Sequence, residues 1–328
     1  MSKDTLPSLK ERVIRCVLFD LGDTLWYRKD MHTWHRLETA SNRRAAALLR
    51  AQVAPDLLAD MDDTLLGKQL RDELDTQTRT AIRQHPEVER DGPLITVRAI
   101  ERLGLGQVDL VSGAAVFEAL RIRIPESRPL FDDVLPTLAE LRRRGFLLGV
   151  VTNRLWGGKL FEEDLHTLGL LDYFDLANIA TSADLGIRKP GAAIFTHALN
   201  ALDVPPAHAA MVGDSLRSDI VGARALGIFA IWKPKPHVRA ALKAHLVAPG
   251  VSSGGHQDQA PPASSQEELP PDLPSGMHVT DDDYILSFVQ RHDNRYKWDP
   301  LHNDEIRPDL TIEHLSDLLD ILLKPGEQ

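Results

Sequence analysis

From Phe131 onward, short apolar runs alternate with amphipathic stretches, and few folds accommodate that rhythm. Phe131–Arg144 carries Leu135, Leu138 and Leu141 on one helical face and meets a stop at Gly145. Phe146–Val151 is then a continuous apolar run ending in Thr152-Asn153. The pattern continues with a helix over Lys159–Leu168, a strand over Leu176–Ala180 and a helix over Ala192–Leu202. A strand over Ala209–Val212 ends in Gly213-Asp214; a helix over Asp219–Leu226 and a strand over Ile228–Trp232 follow. Runs without polar alternation read as strands buried on both faces, as in a parallel sheet covered by helices. Strand–helix alternation with short links predicts an α/β fold, a doubly wound, Rossmann-like parallel sheet.

One more apolar run stands far upstream. Cys16-Val17-Leu18-Phe19 drives into Asp20, followed by Gly22, Asp23 and Thr24. A strand here delivers a carboxylate to the carboxyl edge of the sheet, where open α/β folds place ligands. An acid at that edge can serve as a covalent nucleophile or a metal ligand. Between this run and the alternating region, Asp30 to about Arg123 reads as helical, with Ala40–Ala51 and Leu57–Arg83 its clearest stretches. Gly92-Pro93 and Leu103-Gly104-Leu105-Gly106 punctuate it, so the segment predicts an all-helical module inserted after the first strand.

Past Lys233 the composition shifts. Val247–Gly276 is rich in Pro, Ser, Gly and Gln and reads as a flexible linker. His278–Pro308, with Tyr284, Tyr296 and Trp298, reads as an ordered excursion. Leu310–Leu323 reads as a short strand and an amphipathic helix built on Leu315, Leu318, Leu319 and Leu322, expected to rejoin the core. The expected division is therefore core over 1–26, helical insertion over 27–128, core over 129–233, linker and excursion over 234–308, and a return to the core over 309–328.

The net charge of −10, from 38 basic and 48 acidic residues, argues against nucleic-acid or anionic-membrane binding. The single cysteine, Cys16, lies inside the first predicted strand and permits no intrachain disulfide. No apolar stretch approaches the ~20 residues of a membrane span, and the N-terminus lacks an apolar signal core, so a cytoplasmic protein is expected.

Four signals fall where strands are predicted to end: Asp20-Leu21-Gly22-Asp23-Thr24, Thr152 in GVVTN, Lys189 in GIRKPGAAIF, and Asp214 with Asp219 in VGDSLRSDIVGARALG. Each alone has an ordinary reading. Thr152 could cap a helix, Lys189 could be a solvated turn residue, and Asp219 could complement a helix dipole. In this order they resemble the haloacid dehalogenase superfamily over residues 12–26 and 129–232. The inserted helices resemble the cap of the subfamily containing haloacid dehalogenases and phosphoglycolate phosphatase.

The resemblance implies phosphoryl transfer. Asp20 would be the nucleophile, forming an aspartyl-phosphate. Mg2+ would be held by Asp20, Asp214 and the backbone carbonyl of Gly22, with Asp219 either a further ligand or the holder of a metal-bound water. Thr152 would donate its hydroxyl to a phosphoryl oxygen, and Lys189 would offset the charge of nucleophile and phosphate. Asn153 and Arg154 follow at the same edge as candidate substrate contacts, Arg154 for a second anionic group. The expected partner is a small phosphorylated molecule, with a monomer or homodimer both open.

Gly22 departs from the family pattern. Family phosphatases usually carry a second Asp there, which protonates the leaving alcohol and then activates water. In this chain the acid stands one place later, at Asp23, and a one-residue slip in extended backbone turns a side chain to the opposite face. Either Asp23 substitutes, or the enzyme turns over good leaving groups without an acid, or the protein is a weakly catalytic or regulatory member. A 2-haloacid dehalogenase would not need the proton, but that branch uses no Mg2+ and lacks the GDSLRSD form. Trp26, Tyr27, His32, Trp34 and His35 lie just past the nucleophile, with Trp26 and Trp34 read mainly as packing; His292 and His302 read as solvated loop residues.

Overall fold

The apolar tetrapeptide Cys16–Phe19 forms β1, buried at every position. In the computed structural model, which describes residues 12–52, 58, 61–236, 238–239 and 307–322, this strand sits at the centre of a six-stranded sheet. The strands β2 (Leu147–Thr152), β3 (Ile179–Thr181), β4 (Ala209–Gly213), β5 (Phe229–Trp232) and β6 (Leu310–Thr311) complete it in the order β3-β2-β1-β4-β5-β6, parallel throughout. The chain winds one way from β1 through β3, then returns to the other side of β1 for β4. That reversal opens a crevice between the carboxyl ends of β1 and β4. Phe19 lies level with Val150 and Val212, so Asp20 emerges at this crevice.

The inserted segment folds as α1 (Met31–Gln52), α2 (Asp63–Gln84), α3 (Gly92–Arg102) and α4 (Leu110–Ala119). Aspartates start them: Asp30 accepts Thr33 N at 2.9 Å, Asp62 accepts Thr64 N at 2.8 Å, and Asp91 and Asp109 cap α3 and α4. Gly92-Pro93 therefore opens α3 instead of breaking a helix, because proline at the first turn has no hydrogen bond to lose. Leu49, Leu66, Leu70, Ile100, Val116 and Leu120 build a hydrophobic cluster within these helices, separate from the cluster around the sheet.

Further elements are α5 (Ile124–Ser127), α6 (Val134–Arg143), α7 (Gly158–Thr167), α8 (Ser182–Leu185), α9 (Ala192–Leu202), α10 (Gly222–Ala225) and α11 (Leu318–Ile321). Two expectations shift. The strand expected over Leu176–Ala180 begins only at Ile179; Leu176–Asn178 is a 3-10 turn in which Asn178 N bonds Asp175 O at 2.9 Å, and Leu176 is largely exposed. The helix expected from Asp219 begins at Leu216 as a wide π turn capped by Ser215, and becomes α10 only at Gly222. Near the end of the described chain, β6 lies beside β5 and Ser316 N bonds Asp133 at the start of α6 at 3.1 Å. The linker over 247–276, His292, His302 and nearly all of the excursion over 278–308 lie outside the described residues.

Among the described residues, the helical insertion meets the sheet unit at several places, one of them the stack of Phe117 on Trp156, whose ring nitrogen donates to Phe117 O at 3.2 Å. At its roots, Trp26 bridges to Leu130, while Tyr27 N and Lys29 N donate to Pro129 O and Ser127 O, each at 3.0 Å. Farther on, Val88 bridges to Ile187, Glu89 N donates to Gly186 O at 3.0 Å, and Arg188 N donates to Glu87 O at 2.9 Å.

Candidate active site

Asp20 directly follows β1 and is 7 % exposed; its amide bonds Val212 O at 2.9 Å, tying it to β4. Lys189 reaches the same point from the loop before α9. Its ammonium donates to Asp20 Oδ1 at 2.7 Å and to Val151 O at 2.6 Å, and stands 2.6 Å from Asp219 Oδ1. Burial works against the ammonium, but the Asp20 and Asp219 carboxylates outweigh it and hold Lys189 above the ordinary lysine range. The ammonium is thus held at this edge by two hydrogen bonds and by the charge of Asp219.

From the β4 side come Asp214 and Asp219. The π turn brings Asp219 back over its own start, where its Oδ2 accepts Ser215 N at 3.0 Å. This fold-back needs Gly213: a Cβ there would lie 2.2 Å from Asp219 Oδ2. Asp219 Oδ1 is buried and paired with Lys189 by charge, without an aligned hydrogen bond. Burial pushes the Asp219 carboxyl up to about 6, Lys189 draws it down and Asp20 pushes it up.

Asp20, Asp214 and Asp219 each offer an oxygen, and these atoms all lie within 4.8 Å of one another. Three hard oxygen donors at this spacing, one of them a buried oxygen with no aligned donor, suit Mg2+ better than a softer ion. One lysine leaves the trio net negative, which a divalent cation would offset.

Thr152 closes β2 at this edge, buried and level with Thr181. Asn153 turns aside: its Oδ1 accepts Lys189 N at 2.9 Å and its Nδ2 donates to Lys189 O at 3.0 Å, so the amide clasps the lysine backbone. Arg154 lies with its guanidinium 4.3 Å from the Phe161 ring centroid and 5.7 Å from that of Trp26. Gly22 is half-buried, and a Cβ on it would meet only Asp20 Oδ2, at 3.8 Å. Asp23 occupies the left-handed region at φ 54, inside the turn in which Leu25 N and Trp26 N return to Leu21 O. Its charge acts on Arg128, raising that guanidinium against the stronger pull of burial.

Residues 14–227 match the haloacid dehalogenase-like hydrolase family. The chain belongs to the haloacid dehalogenase-like hydrolases. It is 31 % identical over 219 residues to a glyceraldehyde 3-phosphate phosphatase of Methanopyrus kandleri, covering 67 % of this chain and 83 % of the relative. A phosphoserine phosphatase of Thermus thermophilus is 42 % identical over 104 residues, which span 32 % of this chain and 40 % of that protein's length. Among solved structures, a HAD phosphatase from Thermococcus onnurineus is 26 % identical over 68 % of this chain and 87 % of its own, with a TM-score of 0.46.

Within this hydrolase, several neighbours of the site carried no sequence signal. Glu89, from the helical insertion, is buried and pairs with Arg188 and with Ser182 Oγ; Ser182 Oγ in turn accepts Arg154 N at 2.7 Å. A residue of the insertion thereby braces the segments carrying Arg154 and Lys189. Arg128, at the root of the insertion, lies 5.6 Å from the Trp34 ring centroid, and Arg28 lies 4.5 Å from it. An arginine before proline and a glutamate in a charged loop are each commonplace, so only the fold singles them out.

Proposed function

We propose that the protein is a Mg2+-dependent phosphatase that cleaves a small phosphate ester through an aspartyl-phosphate on Asp20. The observation that carries this reading is Asp20 itself: buried at the crevice, held by Lys189 at 2.7 Å, and grouped with Asp214 and Asp219. The phosphatase names of the M. kandleri and T. thermophilus relatives support the same class of substrate.

Asp20 would attack phosphorus as the bond to the leaving oxygen breaks, and water would then cleave the acyl phosphate, freeing Asp20 and inorganic phosphate. Lys189 holds the nucleophile in place and offsets its charge. Thr152 and Lys189 would meet the charge on the phosphoryl oxygens. Asp20, Asp214 and Asp219, with the Gly22 carbonyl, would hold Mg2+, which when bound neutralises charge on the phosphoryl group. The helical insertion over 27–128 would act as a cap, braced by Glu89.

The leaving oxygen needs a proton or must leave without one. Gly22 supplies none, and Asp23 is held in a left-handed turn. Hydrolysis of aryl phosphates, whose leaving oxygen is already stable, is therefore expected to exceed that of alkyl phosphates. The test is phosphate release from p-nitrophenyl phosphate with and without Mg2+, in wild type and Asp20→Asn. Hydrolysis that persists undiminished in Asp20→Asn would end this mechanism. The bare Gly22 position also supports a second reading, a regulatory binding protein. Calorimetric Mg2+ binding with no turnover across a panel of phosphate esters would favour it.

A further inference from the structure

Two guanidiniums near the candidate nucleophile have no acid to answer them. Arg154 follows Thr152 by two positions, and Arg128 lies beside the crossing where Trp26 bridges to Leu130. Among the described residues, no carboxylate lies within the 4.0 Å of an ion pair from Arg28, Arg128 or Arg154. The neighbouring arginines are answered: Arg121 meets Glu118 at 2.8 Å, and Arg123 meets Asp164 at 2.6 Å.

Aromatic faces hold the unanswered ones. Arg154 lies over Phe161 and Trp26, and Arg128 shares Trp34 with Arg28. Cation–π contact fixes a guanidinium while leaving its edge open; Arg154 Nε donates to Trp156 O at 3.3 Å, so it is the terminal nitrogens of Arg154 that face a ligand. Arg154, Arg128 and Trp34 are half-buried, so solvent still reaches them. Burial pushes both arginines down, aided by Arg28 at Arg128 and by Arg128 and Arg121 at Arg154, which falls to about 9; the Asp20 carboxylate pulls each back up. Both therefore feel the candidate nucleophile from more than ion-pair distance. Lys189, by contrast, donates to it directly at 2.7 Å. A substrate with its phosphoryl group at Asp20 would bring the rest of its body within that standoff.

We propose that Arg128 and Arg154 form a subsite for a second anionic group, so that the natural ester carries a carboxylate or another phosphate besides the one cleaved. This rests on the phosphatase reading for what is done to the ligand, not for whether it binds. A carboxylate or phosphate accepts two parallel N–H bonds from a guanidinium, and charge-assisted bonds of this kind discriminate strongly against neutral isosteres. The arginines would then select the substrate, while Asp20, Lys189 and Thr152 act on it.

The test is calorimetric binding to Asp20→Asn protein with Mg2+, which keeps ligands uncleaved. The ligands are phosphoglycolate, ethylene glycol bisphosphate and the carboxamide of phosphoglycolate. Both doubly anionic ligands are expected to bind about 10–100-fold more tightly than the carboxamide. Arg128→Met and Arg154→Met should each remove most of that preference and bind the carboxamide as before. A stronger fall for phosphoglycolate than for the bisphosphate would identify the carboxylate as the intended group. Equal affinity for charged and carboxamide ligands overturns the proposal, as does failure of every ligand to bind. Equal weakening of all ligands in the methionine variants also overturns it, by placing the arginines on the cleaved phosphate. If the variants unfold, the comparison of ligands on the arginine-intact protein still decides. Absence of turnover in wild type with a retained preference would defeat the phosphatase reading and leave the subsite standing.

Discussion

The ends of β1 and β4 face each other across one crevice, and each presents an aspartate, but they are finished differently. At β4 the companion acid, Asp219, is folded back by a π turn, buried, and paired with Lys189 at 2.6 Å. At β1 the companion position is Gly22, and the nearest acid, Asp23, sits in a left-handed turn. The half that suits a cation is complete; the half that would serve a leaving group is bare. On the proposed reading, binding of charge and transfer of protons would be separable, and each half could be altered without rebuilding the other.

The most drastic intervention is at the β1 end itself. Asp20→Asn is expected to lower hydrolysis of aryl phosphate by at least about 10³-fold, because loss of a nucleophile removes the covalent route entirely. Refilling the bare half comes next. The space at Gly22 admits a Cβ with no contact closer than 3.8 Å, so Gly22→Asp should fold normally. Restoring a general acid should raise the alkyl-to-aryl rate ratio by up to about 10²-fold. An unchanged ratio would mean that Asp23 or another group already donates the proton.

Disturbing the finished half should cost stability as well as rate. Gly213→Ala forces a Cβ to 2.2 Å from the Asp219 carboxylate, and overpacking of this kind costs about 1–3 kcal/mol. Thermal unfolding should show that loss, together with a smaller rise in Tm on adding Mg2+; an unaltered Mg2+ response would show that Asp219 needs no such fold-back. The smallest effect concerns pH. The Asp219 carboxyl is raised from 3.8 to about 6, so its protonated form is favoured by folding. Its contribution is present below the unfolded value and is lost as pH rises through about 6. Without Mg2+, wild type should therefore lose Tm relative to Asp219→Asn between those pH values. A constant difference between the two would refute the raised value.

The acids and the lysine were legible in the sequence because each stands at the end of an apolar run or in the link that follows one. Strand ends of a parallel sheet converge on one edge, and the resemblance of the ordered motifs to the haloacid dehalogenase pattern grouped Asp20, Thr152, Lys189, Asp214 and Asp219. Asn153 was legible as a neighbour of the site but not in its geometry: both ends of its amide are bonded to the backbone of Lys189, a residue remote in sequence. Trp34, read as packing, lies against two arginines. The start of β3 was misjudged because Leu176 looks like strand core and is largely exposed. Arg128 and Glu89 were invisible, since their meaning lies in what the helical insertion brings beside the sheet.

Periodicity alone determined the sheet, its helical cover and the edge at which carboxylates gather, because apolar burial enforces strand direction whatever the loops do. Proximity between distant loops decided the rest: which oxygen Lys189 holds, how Gly213 admits Asp219, that Gly22 has room for a side chain, and that no described acid pairs with Arg128 or Arg154. Contacts of that kind depend on distances across the fold, and no local pattern of residues encodes them.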